Sequence, residues 1–327
     1  MSSTDSFLCE AKDDDIDEMV ELNRLDAAAS FREGKWHLEE LEWEEEEPFE
    51  CFMKGGPWLH SMSLRVQIRL MKEIGSIWLL KDRKNDQIIG ETDIVWSPEP
   101  QPLGNLLYVA WITIAPEYRG QGLGTRFLSE AVEREIAKHP TVEWLNSIPE
   151  DNISKGLYQS VGLETWEELQ SFEMPFEAAS LQLDHHDFEI SERNLQEPPN
   201  TLLNCGRLWY PTSYCWAAIR YSGQFREIFR HEQWRPIKAY NLYWNEHLLV
   251  ITDAKRGYLW METELAEKPA AYALALKAMK TLAKNNDPKR ESVELDVFKR
   301  NLKYFLSSSS DVKVKTVPYM RRKVNSL

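Results

Sequence analysis

The chain has 327 residues, more than one ordinary domain needs, and its length predicts two units. An apolar content of 43% with 11% aromatics excludes a mainly disordered chain, and a formal charge of -14 excludes the basic footprint of a generic nucleic-acid binder. No apolar run approaches the roughly 20 residues of a membrane span, and the N-terminus has neither the basic start nor the apolar core of a secretory signal. We therefore expect a cytoplasmic protein with no nucleic-acid or membrane partner. Cys9, Cys51, Cys205 and Cys215 form no CxxC pair, which fits a reducing compartment, and no metal site is expected.

Charge is distributed unevenly. There are 16 basic and 36 acidic residues up to position 177 and 23 and 17 beyond it, so the halves are of opposite sign and a boundary falls near residues 178–186. We assign 1–177 and 178–327 as the two domains. Eight glutamates lie between Glu39 and Glu50 around Trp43, Pro48 and Phe49. Such a run reads as a solvated helix face, or as an acidic, aromatic rim that attracts a cationic molecule.

In chain order, a strand is expected at Phe7 to Ala11 and an acid-capped helix from about Asp14 to Leu25, then less regular helix to about Ile74. Ser76 to Lys81 and Ile88 to Trp96 alternate as a hairpin, and Leu106 to Ile114 is apolar on both faces, as a central strand is. Pro116 ends it. Arg119-Gly120-Gln121-Gly122-Leu123-Gly124-Thr125 follows, and Leu123, Phe127, Leu128, Ala131, Val132 and Ile136 then recur at helical spacing. A strand, a glycine-rich turn and a helix N-terminus converge backbone N–H groups on one point, which suits a phosphate. A P-loop would need a lysine where Gly124-Thr125-Arg126 has none, and the dinucleotide fingerprint would need glycine at Thr125.

The stretch Ile112 to Gly124 resembles the acyl-CoA signature of the GCN5-related N-acetyltransferases (GNAT), Arg/Gln-x-x-Gly-x-Gly/Ala after a strand. A further strand at Val142 to Ile148 precedes Asp151-Asn152 and Tyr158-Gln159-Ser160-Val161-Gly162, which is similar to the family's second signature, with Asp151 favoured over Asn152 for its first polar position. Phe172 to Met174 looks like the last strand. The resemblance covers about residues 5–177 and implies an α/β (α+β) fold, a mixed central sheet with flanking helices. It also implies acetyl-CoA as co-substrate, its pantetheine beside Ile112, Thr113 and Ile114, its pyrophosphate on Arg119 to Thr125, and Tyr158 as the general acid that protonates the leaving thiolate. The acceptor expected is a primary amine of a small molecule, and the acidic run leans toward a cationic one.

Where many members carry a strand glutamate as general base, Tyr108-Val109-Ala110-Trp111 offers none. Glu91 and Asp93, two residues apart on one face of the preceding strand, and His60 are the candidates, although strand acids that face solvent are the simpler reading of that pair. A shift of 146 residues sends Tyr158 onto Tyr304 and Met174 onto Met320, and aligns the Leu123 helix with one from Ala270, with a strand at Ser292 to Phe298 after it. This predicts a second, degenerate GNAT-like domain that lacks the glycine turn, so one acyl-CoA per chain is expected. Its remaining roles are structural: packing, an acceptor wall, or a homodimer face. Trp209, Tyr210, Tyr214 and Trp216 read as core or as such a face, and His185-His186-Asp187 as a polar turn. Two alternatives stand beside the small-molecule enzyme: an acyl-CoA-binding protein without turnover, and an acetyltransferase acting on proteins or peptides.

Overall fold

The computed structural model describes residues 5–32, 47–149, 151–176, 188–231, 234–305 and 312–324. The proposed linker, His185-His186-Asp187 and most of the acidic run, Glu39 to Glu46, lie outside them.

The first half runs β1 (Ser6–Glu10), α1 (Ile16–Arg32), α2 (Pro48–Gly55), α3 (Ser61–Ile74), β2 (Gly75–Asp82), β3 (Ile88–Ser97), β4 (Leu106–Ile114), α4 (Leu123–Lys138), β5 (Trp144–Ser147), α5 (Asn152–Ser160) and β6 (Glu164–Pro175). The second runs β7 (Glu189–Glu192), β8 (Leu203–Asn204), α6 (Thr212–Phe229), β9 (Ala239–Trp244), β10 (His247–Thr252), β11 (Leu259–Met261), α7 (Pro269–Asn286), β12 (Ser292–Phe298) and β13 (Val314–Lys323). One order recurs in both halves, β2-β3-β4-α4-β5 and β9-β10-β11-α7-β12. Helices α4 and α7 begin 146 residues apart, at Leu123 and Pro269, although Tyr304 ends a 3-10 turn, Lys299–Tyr304, where Tyr158 lies on an α-helix. Helix α1 starts later and runs further than its acidic cap suggested, because Asp13–Asp15 form a separate 3-10 turn.

Two mixed α/β layers result. The larger sheet has the order β1-β2-β3-β4-β5-β13-β6-β12 and the smaller β7-β9-β10-β11-β8. The C-terminal strand β13 enters the first half's sheet, pairing Met320 with Ser147 of β5 on one side and Val314 with Phe172 of β6 on the other. Strand β6 thus lies between two strands of the second half, since β12 pairs along its other edge from Ser292/Pro175 to Phe298/Leu169. A cut at 177/178 would leave β5 and β6 without their shared neighbour.

Burial follows the periodicities. On α4 the stripe Leu123, Phe127, Leu128, Ala131 and Val132 is buried against one face of the large sheet, and each large side chain contributes ~1.5–3 kcal/mol. On the other face one core runs through both halves, joining Leu64, Ile68 and Leu70 of α3 to Phe225 of α6, Leu249 of β10 and Leu274 of α7. Trp216 and Trp260 belong to a third core of the second half. Helix α6 is tied to the first half at its N-terminus, where the buried Glu99 carboxylate accepts from Thr212 N–H at 2.6 Å and Thr212 Oγ1 at 2.8 Å, a side-chain cap supplied across the halves. Farther along α6, Tyr221 donates to Glu73 and Arg220 pairs with Glu73 at 2.7 Å.

Candidate active site

Strands β4 and β5 are parallel neighbours only from Leu106/Trp144 to Val109/Ser147. Ser147 Oγ donates to the Val109 carbonyl at 3.0 Å, β5 ends there, and β4 continues to Ile114 paired on its other edge with β3. The edge from Ala110 to Ile114 is therefore open toward α5. At the parting point the β3 register slips between Asp93/Trp111 and Ile94/Val109, leaving Ala110 as a bulge residue. The gap forms part of a cleft of about 840 Å³ lined from both halves.

At one end of that cleft is the glycine turn. Gly120 (φ 73°) and Gly122 (φ 75°) are left-handed, and a β-carbon at either would meet no atom within 4 Å, so the turn presents bare backbone to the cleft. Gly122 is the N-cap of α4, and the Arg126 amide is the first to close back, onto its carbonyl, at 3.3 Å. The amides of Leu123, Gly124 and Thr125 precede that bond and carry the positive end of a 16-residue helix. Arg119 folds away from the turn: its Nε donates to the Ile114 carbonyl at 2.8 Å and its guanidinium pairs with Asp26 of α1. Ile112, Thr113, Ile114, Arg119, Gly120, Gly122, Leu123, Gly124 and Thr125 all line the cleft, whereas Gln121 is exposed outside the lining.

The opposite wall is α5. Asp151 caps it, its Oδ1 accepting from Ser154 N–H at 2.7 Å, while Asn152 is exposed and outside the lining. Asp151 and Tyr158 line the cleft, Tyr158 being only 5% exposed.

The acids of β3 depart from the sequence reading. Neither faces solvent: Glu91 and Asp93 are both 0% exposed, because α1 and α3 cover that face of β3. Asn23 Nδ2 donates to Glu91 Oε2 at 2.8 Å, and Trp58 Nε1 and Gln67 Nε2 reach Asp93 Oδ2 at 3.3 and 3.4 Å. The second oxygen of each, Glu91 Oε1 and Asp93 Oδ1, is buried without a hydrogen-bond partner among the described residues. Burial drives both carboxyls toward the protonated form, Asp93 up to about 7 against the opposing bonds from Gln67 and Trp58. Glu91 is raised well above the carboxylate range by burial and then by the Asp93 charge, with the Asn23 bond opposing. Neither acid lines the cleft; Asn23, Trp58, Gln67 and Trp111 stand between them and it. His60 is elsewhere, capping α3 with Nδ1 accepting from Met62 N–H at 3.1 Å.

The remaining wall is not legible in the sequence as a site. Trp58 stacks on Trp111 at 4.6 Å, Tyr210 stacks on Tyr214 at 4.6 Å, and Tyr108 donates to the Trp209 carbonyl at 2.6 Å. Trp209, Tyr210 and Tyr214 of the second half therefore line the first half's cleft, while Trp216 is core. Local aromatic density is the one signal the sequence offers for them, and it does not separate core from wall.

In the second half the corresponding gap is closed. Strand β11 stands where Ile112 to Ile114 stand in β4, and its free edge is taken by β8, with Trp260 opposite Asn204 and Met261 opposite Leu203. The same strap reaches β12, where the Asp296 amide donates to the Gly206 carbonyl at 2.8 Å and Leu208 N–H to the Asp296 carbonyl at 3.1 Å. Where the first half has a glycine turn, α7 begins with Pro269 after Lys268, and the buried Tyr272 stacks on Tyr304 at 5.1 Å.

Residues 73–164 match the sequence model of the acetyltransferase (GNAT) domain. Solved structures similar to the whole chain include a GCN5-related N-acetyltransferase from Anabaena variabilis, at 14% identity over 98% of this chain and 73% of that one, with a TM-score of 0.59. Another, from Kribbella flavida, has 14% identity over 98% and 71% and a TM-score of 0.54. A tandem GNAT protein from the clavulanic acid biosynthesis pathway has 11% identity over 98% of both chains and a TM-score of 0.50. At these identities the likeness is one of fold. No curated protein matches the sequence. Residues 73–164 thus match a GNAT acetyltransferase domain, and the fold of the whole chain resembles that of a tandem GNAT protein. No helix of the described residues is long and apolar enough to cross a membrane.

Proposed function

We propose that the protein transfers an acetyl or other short acyl group from acyl-CoA to a primary amine of a small molecule, with residues 1–177 as the catalytic unit and 178–327 as a degenerate copy. The observation that carries this reading is the parting of β4 from β5 after Val109/Ser147 in the same cleft as the bare Gly120–Gly122 turn. The pantetheine pairs with the open β4 edge at Ile112, Thr113 and Ile114, and the pyrophosphate takes the Arg119 to Thr125 loop through the amides that follow Arg119, whose own N–H is bonded to the Pro116 carbonyl at 3.2 Å. The thioester then lies near the bulge residue Ala110, and a backbone N–H of β4 at the bulge is the donor for the carbonyl oxygen as its charge develops. The neutral amine attacks the thioester carbon, the C–S bond breaks, Tyr158 gives its proton to the leaving thiolate, and the proton that the attacking nitrogen sheds returns through solvent to the tyrosinate.

The amine arrives protonated. Asp93, backed by Glu91, accepts that proton through a water crossing the Trp58, Gln67 and Trp111 layer, since neither acid lines the cleft. A carboxyl held near neutrality is matched to this task. Tyr210 and Tyr214 wall the cleft with stacked rings from the second half, an enclosure that suits a small acceptor better than an extended peptide. The lack of a carboxylate on β4 favours the second reading, an acyl-CoA-binding protein without turnover.

Calorimetric titration with acetyl-CoA followed by product detection across amines separates the two. Binding at one per chain with an acetylated amine supports the enzyme; binding with none selects the second reading, and no binding overturns both.

A further inference from the structure

The strap that closes the second half's gap continues into the acceptor wall of the first. Its backbone is held on both sides: the Asn204 side chain accepts from Arg207 N–H at 3.1 Å and donates to the Arg207 carbonyl at 3.0 Å, and Asp296 clamps Gly206 and Leu208. Arg207 is thereby presented to the cleft with its side chain 13% exposed. Its Nη1 donates to the buried Asp296, which also accepts from Ser171 Oγ at 2.5 Å. The other edge of the guanidinium, Nε and Nη2, makes no hydrogen bond among the described residues, although it is not sealed from the cleft. Beside it Tyr258 is 7% exposed and lines the cleft, and its hydroxyl makes no hydrogen bond among the described residues either. Arg256, 61% exposed, stands on the same wall.

A guanidinium edge that is held in place and opens to the cleft has donors available to a ligand, and their planar fork suits two oxygens of one anion. We infer that the acceptor amine carries a carboxylate or phosphate group, held by Arg207 with Tyr258 and Arg256, so that the amine end is turned toward Asp93. This deepens the acyltransferase reading and rests on it for the amine's role, but the anion subsite can be tested without turnover.

The test is equilibrium binding, with CoA present and absent, of two matched pairs: phenylalanine against phenethylamine for a carboxylate, and phosphoethanolamine against ethanolamine for a phosphate. At least one anionic member should bind about 10-fold or more tighter than its partner, as charge-assisted hydrogen bonds of this kind imply. The pair that discriminates identifies the anion. Arg207→Lys keeps a charge for Asp296 while removing the free fork and should erase most of that preference; Tyr258→Phe and Arg256→Ala should each reduce it several-fold. Equal binding within both pairs, or a preference that survives Arg207→Lys, overturns the subsite. Discrimination without any acetylated product leaves the subsite standing and rejects the acyltransferase reading instead.

Discussion

Gln67 of α3 and Tyr214 of α6 meet at 3.4 Å, 147 residues apart in the chain, and the same Gln67 amide reaches Asp93 at 3.4 Å. Through this amide the second half touches the buried acid of the first. Glu99 holds the N-terminus of α6 and so sets where Tyr214 stands.

If Asp93 takes the amine's proton, the rate must follow its ionisation. Activity should rise with pH through a midpoint near 7, the value to which burial pushes Asp93. Asp93→Asn should remove that limb and lower kcat by about 10²-fold or more with acetyl-CoA affinity unchanged. A pH–rate profile of the variant that keeps the limb assigns it to another group.

The same ionisation bears on stability, with the opposite sense to an ordinary ion-paired carboxylate. The folded-state value of Asp93 is raised, from 3.8 to about 7, so the native state holds a proton that the unfolded state has lost. Stability contributed by this group is therefore full below about pH 4 and is lost as pH rises to about 7, at up to ~1.4 kcal/mol per pH unit. The stability difference between Asp93→Asn and the wild type, followed by denaturant unfolding, should grow in the variant's favour across that window.

Gly122 tests the turn. Its open surroundings admit a methyl group, so Gly122→Ala should cost only ~1–2 kcal/mol, that of a left-handed alanine. Gly122→Glu places a carboxylate where the pyrophosphate would lie and should abolish acetyl-CoA binding with little further loss of stability, as titration beside a thermal melt would show.

Tyr158→Phe isolates the general acid. The ring stays in its buried position on α5, so acetyl-CoA affinity should hold while kcat falls ~10²-fold. Steady-state kinetics with a measured dissociation constant distinguishes this from a loss of binding.

The C-terminal strand should be indispensable to both halves. A protein ending at residue 311 lacks β13 and exposes facing edges of β5 and β6, so it should aggregate, and residues 1–177 alone should do the same. Gel filtration of those truncations beside the full chain is decisive; a monomeric, folded 1–177 would show that the inserted strand is dispensable.

Features carried by contiguous residues are legible in the amino-acid sequence by itself. The glycine turn, the apolar central strand Leu106–Ile114 and the stripe of α4 each depend on spacing within one segment, and the family resemblance rests on the same spacing. Even the repeat is visible, because α4 and α7 keep their 146-residue offset. Tertiary structure alone decides the rest. An alternating strand does not say which face is covered, so Glu91 and Asp93 read as solvent acids although α1 and α3 lie over them. Nor does local sequence say that β13 passes between β5 and β6, or that β8 occupies the second half's gap. Those pairings join segments far apart in the chain and are selected by edge hydrogen bonding and a shared core, to which no short window of sequence has access.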